Sequence, residues 1–152
     1  MYIDAMATTW SSVGHRLWVL ATRWRVAVDR ALEPHGLTHA TYTVAVALFA
    51  MNNAGRSPLQ RELAEAIGLE PLYVSKLVRA AERDGFLVRR PDPGDGRAHR
   101  LTLTPIGRVR LRAAVGVVTA LQNQTLAPIG GRNDERAEQL VDLLDRLLDP
   151  SG

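Results

Sequence analysis

The sequence predicts a mainly α-helical fold interrupted by one small β-hairpin. Three observations predict it. Apolar residues recur at spacings of three and four along most of the chain. Residues 86–104 alternate instead around a Pro- and Gly-rich turn. Two short helical stretches, residues 59–67 and 71–84, are separated by only a few residues that include Gly68. That last arrangement is a helix-turn-helix candidate. With 152 residues and 46% hydrophobic content, the chain has the size and composition of one globular domain.

A first helix is expected over residues 9–32, where Val13, Leu17, Leu20, Trp24 and Val28 form a stripe before Pro34 and Gly36. The second opens at Thr38, a good N-cap, and closes at Asn52, Asn53 and Gly55. Its apolar residues surround it, which predicts a central position. Ser57-Pro58-Leu59-Gln60 reads as a capping box with proline at the first helical position. Gly68 stops that third helix, and the fourth runs from Pro71 to the stop at Gly85. Strands follow at residues 86–90 and 99–104, with Leu101 and Leu103 on one face and Arg100 and Thr102 on the other. Thr104-Pro105 caps a fifth helix over residues 105–126, ended by Pro128, Gly130 and Gly131. Asn133 is the expected cap of a sixth, whose stripe is Ala137, Leu140, Val141, Leu144, Leu147 and Leu148.

Composition excludes several kinds of chemistry. There is no cysteine, so disulfides, thiolate metal sites and thiol redox sensing are ruled out. The four histidines, at positions 15, 35, 39 and 99, show no metal-binding pair on a helix, and no metal or cofactor is expected. No apolar run reaches the roughly 18 to 20 residues of a membrane span. The first nine residues lack the pattern of a signal peptide, and Met6 is an alternative start. A cytoplasmic protein is therefore expected. No Gly-rich phosphate loop, nucleophile elbow or Ser/His/Asp set occurs. Asp92 and Asp95 near His99 imitate an acid–base cluster, on a loop expected to have no pocket.

The net charge of +3 hides an asymmetry. Residues 56–112 hold twelve basic and seven acidic side chains, a net of +5, while the remainder holds seven against nine. Eighteen of the nineteen basic residues are arginines, and the one lysine is Lys76. On the fourth helix Val74, Leu77, Val78 and Ala81 share one face. Ser75, Lys76, Arg79 and Arg83 share the opposite face, with Leu72 above them and Tyr73 to the side. A face of hydroxyl and cations suits the major groove, where arginine and lysine pair with guanine. The hairpin tip, residues 92–100, carries Arg97 near its apex, and a projecting arginine suits a narrow minor groove. Asp95 is expected to hold Arg97 by a salt bridge, and Arg100 adds a cation. Double-stranded DNA is thus the expected partner.

Several runs resemble the MarR family of winged helix-turn-helix transcription regulators. They are Gly36-Leu37-Thr38, Arg61-Glu62-Leu63-Ala64, Val74-Ser75-Lys76-Leu77-Val78 and Asp95-Gly96-Arg97-Ala98-His99-Arg100-Leu101-Thr102-Leu103-Thr104-Pro105-Ile106-Gly107. The last is the most specific: an Asp-x-Arg wing tip followed by Leu-Thr-x-x-Gly. The resemblance covers roughly residues 12–148. It implies a homodimer, with residues 1–37 and 105–152 as the helical dimerisation domain and residues 38–104 as the DNA-binding part. It further implies a pseudo-palindromic operator, the fourth helix (71–84) as major-groove reader, and Arg97 on the wing (86–104) as minor-groove contact. A small aromatic or anionic effector in a cleft is also implied, with His15, Arg16, Trp18, His39 and Tyr42 as candidate lining. Pro71 and Leu72 depart from the small polar residues of many relatives, and Leu59 replaces a common capping threonine, for which Ser57 is expected to substitute. The alternatives are a winged helix for protein or RNA contact, or another winged-helix family; the basic face of the fourth helix disfavours the former, and the long first helix with two C-terminal helices disfavours the latter.

Overall fold

The computed structural model describes residues 12–149. Six α-helices and one two-stranded antiparallel sheet are found among them, in the order α1 (Val13–Leu32), α2 (His39–Asn53), α3 (Gln60–Ile67), α4 (Pro71–Arg83), β1 (Leu87–Pro91), β2 (His99–Leu103), α5 (Pro105–Leu126) and α6 (Glu135–Leu148). Short 3-10 turns follow α1 and α5, at Glu33–His35 and Ala127–Ile129. The chain divides into two compact units, one up to Ala114 and one from Val115 on.

The first unit is built around α2. Its Val44, Ala45 and Leu48 are buried, and it packs on α1, α3, α4 and β2, the central position its all-round apolar sequence predicts. Thr38 caps it as expected, its hydroxyl accepting the Thr41 N–H at 3.2 Å. Asp29 of α1 supplies a second acceptor to this end, taking the His39 N–H at 2.6 Å. At the other end Asn52 clamps β2: its Oδ1 accepts the Leu103 N–H at 2.9 Å and its Nδ2 donates to the Arg56 carbonyl at 2.8 Å.

The start of α3 differs from expectation. The cap is Leu59, whose N–H donates to the Glu62 carboxylate at 2.8 Å. Leucine has no side-chain acceptor, so only this half of a capping box forms. Ser57 instead meets Thr102 at 3.2 Å. The cause is the sheet. The Leu101 N–H donates to the Pro58 carbonyl at 2.9 Å, and Leu59 bridges Arg100, so residues 58 and 59 form a short third edge. Between α3 and α4 the chain reverses at Gly68, where φ is +65°. An L side chain there would sit too near the following carbonyl, so glycine sets the helix-turn-helix angle.

The hairpin pairs Leu87 with Leu103 and Pro91 with His99. Leu87, Leu101 and Leu103 point inward with Phe86 and are buried. Thr104 caps α5 through the Gly107 N–H at 2.9 Å. The first helix is described only from its cap, Ser12; the expected residues 9–11, like both candidate start methionines, lie outside the described residues. Of its apolar stripe only Val28 is buried, while Val13, Leu17 and Leu20 are exposed. In the second unit Val118 and Ala137 are buried. Asp134 caps α6, not Asn133, accepting the Arg136 N–H at 3.0 Å. Hydrogen bonds from Arg136 lower the Asp134 pKa to about 2. Val141, Leu147 and Leu148 of the α6 stripe are exposed. No helix of the described residues is long and apolar enough to cross a membrane.

Candidate nucleic-acid interface

The geometry of α4 follows from its period. Val74, Leu77, Val78 and Ala81 are buried, and the helix packs on α2, α3 and β1. At about 100° per residue, Leu72, Lys76, Arg79 and Arg83 fall within roughly 60° of one another on the opposite side. Lys76, Arg79 and Arg83 are exposed and Ser75 is half-buried, while Tyr73 is exposed on the flank. Among the described residues no carboxylate pairs with Lys76, Arg79 or Arg83. Of the two acids that flank Arg83 in sequence, Glu82 is drawn aside by Arg89, whose Nε donates to it at 2.7 Å, and Asp84 forms no ion pair with these cations. The outer face of α4 is therefore cationic with its charges uncompensated.

The hairpin tip is tightly bonded. Asp92 Oδ2 accepts the Gly94 N–H at 3.1 Å, and Asp95 Oδ1 accepts the Arg97 N–H at 3.0 Å. Asp92 also accepts from Arg100 Nε, and Arg100 Nη1 donates to the Ser57 carbonyl at 2.9 Å. This corrects the expected Asp95–Arg97 salt bridge: Asp95 holds the main chain, and the ion pair is Asp92–Arg100. The Arg100 hydrogen bond lowers the Asp92 pKa below the usual carboxylate range. Arg97 is left exposed at the tip. Contrary to expectation, the loop does line a recess, of about 270 Å³, with Gln60, Arg61, Asp92, Asp95, Arg97 and His99 on its walls. Asp92 is committed to Arg100 and Asp95 to a main-chain N–H, so the acid–base imitation has no free carboxylate pair.

The five effector candidates do not form one cluster within the chain. His15, Arg16 and Trp18 lie at the start of α1, where the His15 and Trp18 rings are 6.2 Å apart. His39 is anchored to Asp29, fourteen residues further along α1, about 21 Å away at 1.5 Å per residue. Tyr42 lies one turn into α2, and burial raises its pKa.

The MarR family model matches residues 35–98, which span the helix-turn-helix, β1 and the hairpin tip and stop just before β2. The uncharacterized HTH-type transcriptional regulator YdcH of Bacillus subtilis (strain 168) is 31% identical over 117 residues, 77% of this chain and 80% of YdcH. The chain belongs to the MarR family. Solved structures agree with the winged-helix fold. The transcriptional repressor CouR, bound to a 23-mer DNA duplex, matches with a TM-score of 0.80 at 26% identity, covering 95% of this chain and 97% of CouR. CouR from Rhodococcus jostii RHA1 bound to p-coumaroyl-CoA matches with a TM-score of 0.75 at 28% identity, covering 91% and 93%. This MarR-family chain is thus a transcriptional regulator, and its relatives are regulators rather than enzymes.

Two cations beside this MarR-type hairpin escape sequence reasoning. Arg90 is exposed and pairs in register with Arg100, so two like charges face each other across the strands. Arg61 is exposed on α3 and shares the recess with Arg97. The strand alternation that singles out Arg100 also selects Arg90, once the register is known.

Proposed function

We propose that this chain is a homodimeric, sequence-specific DNA-binding repressor of the cytoplasm, holding a pseudo-palindromic operator and releasing it on binding a small aromatic or anionic effector. The observation that carries this reading is the uncompensated cationic face of α4, directly opposite its buried face. A helix with that polarity enters the major groove, where Lys76, Arg79 and Arg83 face base edges or phosphates and Ser75 and Tyr73 add hydroxyls. The hairpin then lies along the adjacent minor groove with Arg97 inserted, Arg100 and Asp95 shaping its base. CouR on its 23-mer duplex supports this docking by analogy.

Exposed apolar residues on α1 and α6, among them Val13, Trp18, Leu147 and Leu148, support a dimer built from α1, α5 and α6. Such a dimer sets its recognition helices about 34 Å apart, one turn of duplex. An effector that binds one dimer shape more tightly shifts that spacing, and the operator is released. Its seat is proposed at His15, Arg16, Trp18, His39 and Tyr42, with Arg16 pairing an anion and the aromatic side chains stacking. As those residues are split within one chain, the partner protomer would complete the seat. The p-coumaroyl-CoA complex of CouR supports an aromatic, anionic class.

Selection of bound duplexes from a random pool tests the central claim. A recovered palindrome is expected, and no enrichment even at low salt would overturn it. On the recovered operator, Arg97→Ala should lower affinity about tenfold, most at A·T-rich flanks; equal affinity would remove its minor-groove role. Lys76→Ala and Ser75→Ala should relax base preference more than they lower affinity for random DNA. Equal losses on both duplexes would make them phosphate contacts only.

A further inference from the structure

We infer that Leu72 is a specificity residue that reads the C5-methyl group of a thymine in each operator half-site. The inference rests on the DNA-binding reading above and extends it to a side chain that neither charge nor hydrogen bonding brings to notice. Leu72 is 75% exposed, the most exposed large apolar side chain within residues 38–104. It stands on the second residue of α4, one turn before Lys76 and on the same side as Lys76, Arg79 and Arg83. Leu72, with its exposed neighbours Pro71 and Tyr73, makes only a small apolar tip bordered by cations, short of the contiguous area of a protein-docking patch. It does match the floor of a major groove. There the thymine methyl is the one apolar feature among base edges, and the N-terminal residues of a recognition helix reach it first.

The chemistry of the same turn points the same way. A helix start that meets a phosphate offers free N–H groups and no negative charge. Here the N-cap is Glu70, with no side-chain cap bond, and the first helical residue is Pro71, which has no N–H. This turn is a poor phosphate seat, so the tip of α4 faces bases through Leu72 while the cations behind it provide charge.

The test uses full-length protein and the operator recovered by selection, with each thymine replaced singly by deoxyuridine. That replacement keeps base pairing and the O4 acceptor and deletes only the methyl group. For the unaltered protein, one thymine per half-site should lose about fourfold in affinity on methyl removal, the fold-change expected for burying one such group. Leu72→Ala should bind the thymine and deoxyuridine duplexes equally. Leu72→Met, which keeps an apolar tip, should retain the discrimination. Binding that is indifferent to every methyl group would overturn the inference while leaving DNA binding intact. So would an equal methyl effect in Leu72→Ala, which would assign the contact to another side chain. Failure to bind any duplex would instead overturn the DNA-binding reading itself.

Discussion

Replacing Gly107 with alanine should destabilise the protein by about 3 kcal/mol or prevent folding. A Cβ at this position would lie 2.1 Å from the Phe86 carbonyl oxygen and 2.9 Å from its carbonyl carbon and Cα. These are backbone atoms, so no side chain can swing away. The same carbonyl accepts the Thr104 N–H at 2.9 Å, which helps hold it in place. Gly107 is thus the point where α5 leans on the base of the hairpin. Urea denaturation should show a much lower midpoint with an unchanged slope. Gly116→Ala, on the same helix, meets nothing within 4 Å and should be neutral or mildly stabilising. Equal midpoints for Gly107→Ala and the unaltered protein would refute the close approach.

Arg110→Ala should cost about 2 kcal/mol, although the residue touches no expected ligand. Its Nη1 donates to the Asp84 carbonyl at 3.1 Å and its Nη2 to the His35 carbonyl at 3.0 Å. Its guanidinium carbon stands 4.1 Å from the centre of the Phe86 ring. One planar group therefore joins the 3-10 turn after α1, the end of α4 and the chain leading into β1. Losing it frees the end of α4, so operator affinity should fall together with stability. Arg110→Lys should recover little, because a single ammonium cannot span both carbonyls while stacking on the ring. Full recovery with lysine, by denaturation and duplex binding, would show that charge alone suffices.

What the sequence discloses depends on how local the cause is. The buried face of α4 is legible because a helix repeats every 3.6 residues, and Val74, Leu77, Val78 and Ala81 keep that period. Thr38 and Thr104 are legible as caps because a cap bonds within three residues of itself. The start of α3 is not. Residues 58 and 59 are recruited by β2, more than forty residues away in the chain, and no local pattern announces that tie. Asp95 and Arg97 suggest an ion pair by proximity, yet a carboxylate two residues before an N–H prefers the turn it can close. The pair that does form, Asp92 with Arg100, is set by strand register. The stripe of α1 is legible as apolar, but an apolar face does not say what covers it. The same holds for His15 and His39, which sequence groups by residue type and the fold separates.

The bonded hairpin tip has a kinetic meaning. Asp92 and Asp95 fix the loop by closing its turns before any duplex arrives. A flexible arm loses conformational entropy on docking and must search for its groove in many shapes. On the proposed docking, these bonds restrict in advance part of the freedom the loop would lose, with the exposed Arg97 side chain left to settle. Encounter with the duplex should therefore proceed without a loop-ordering step, with its speed governed by charge and ionic strength.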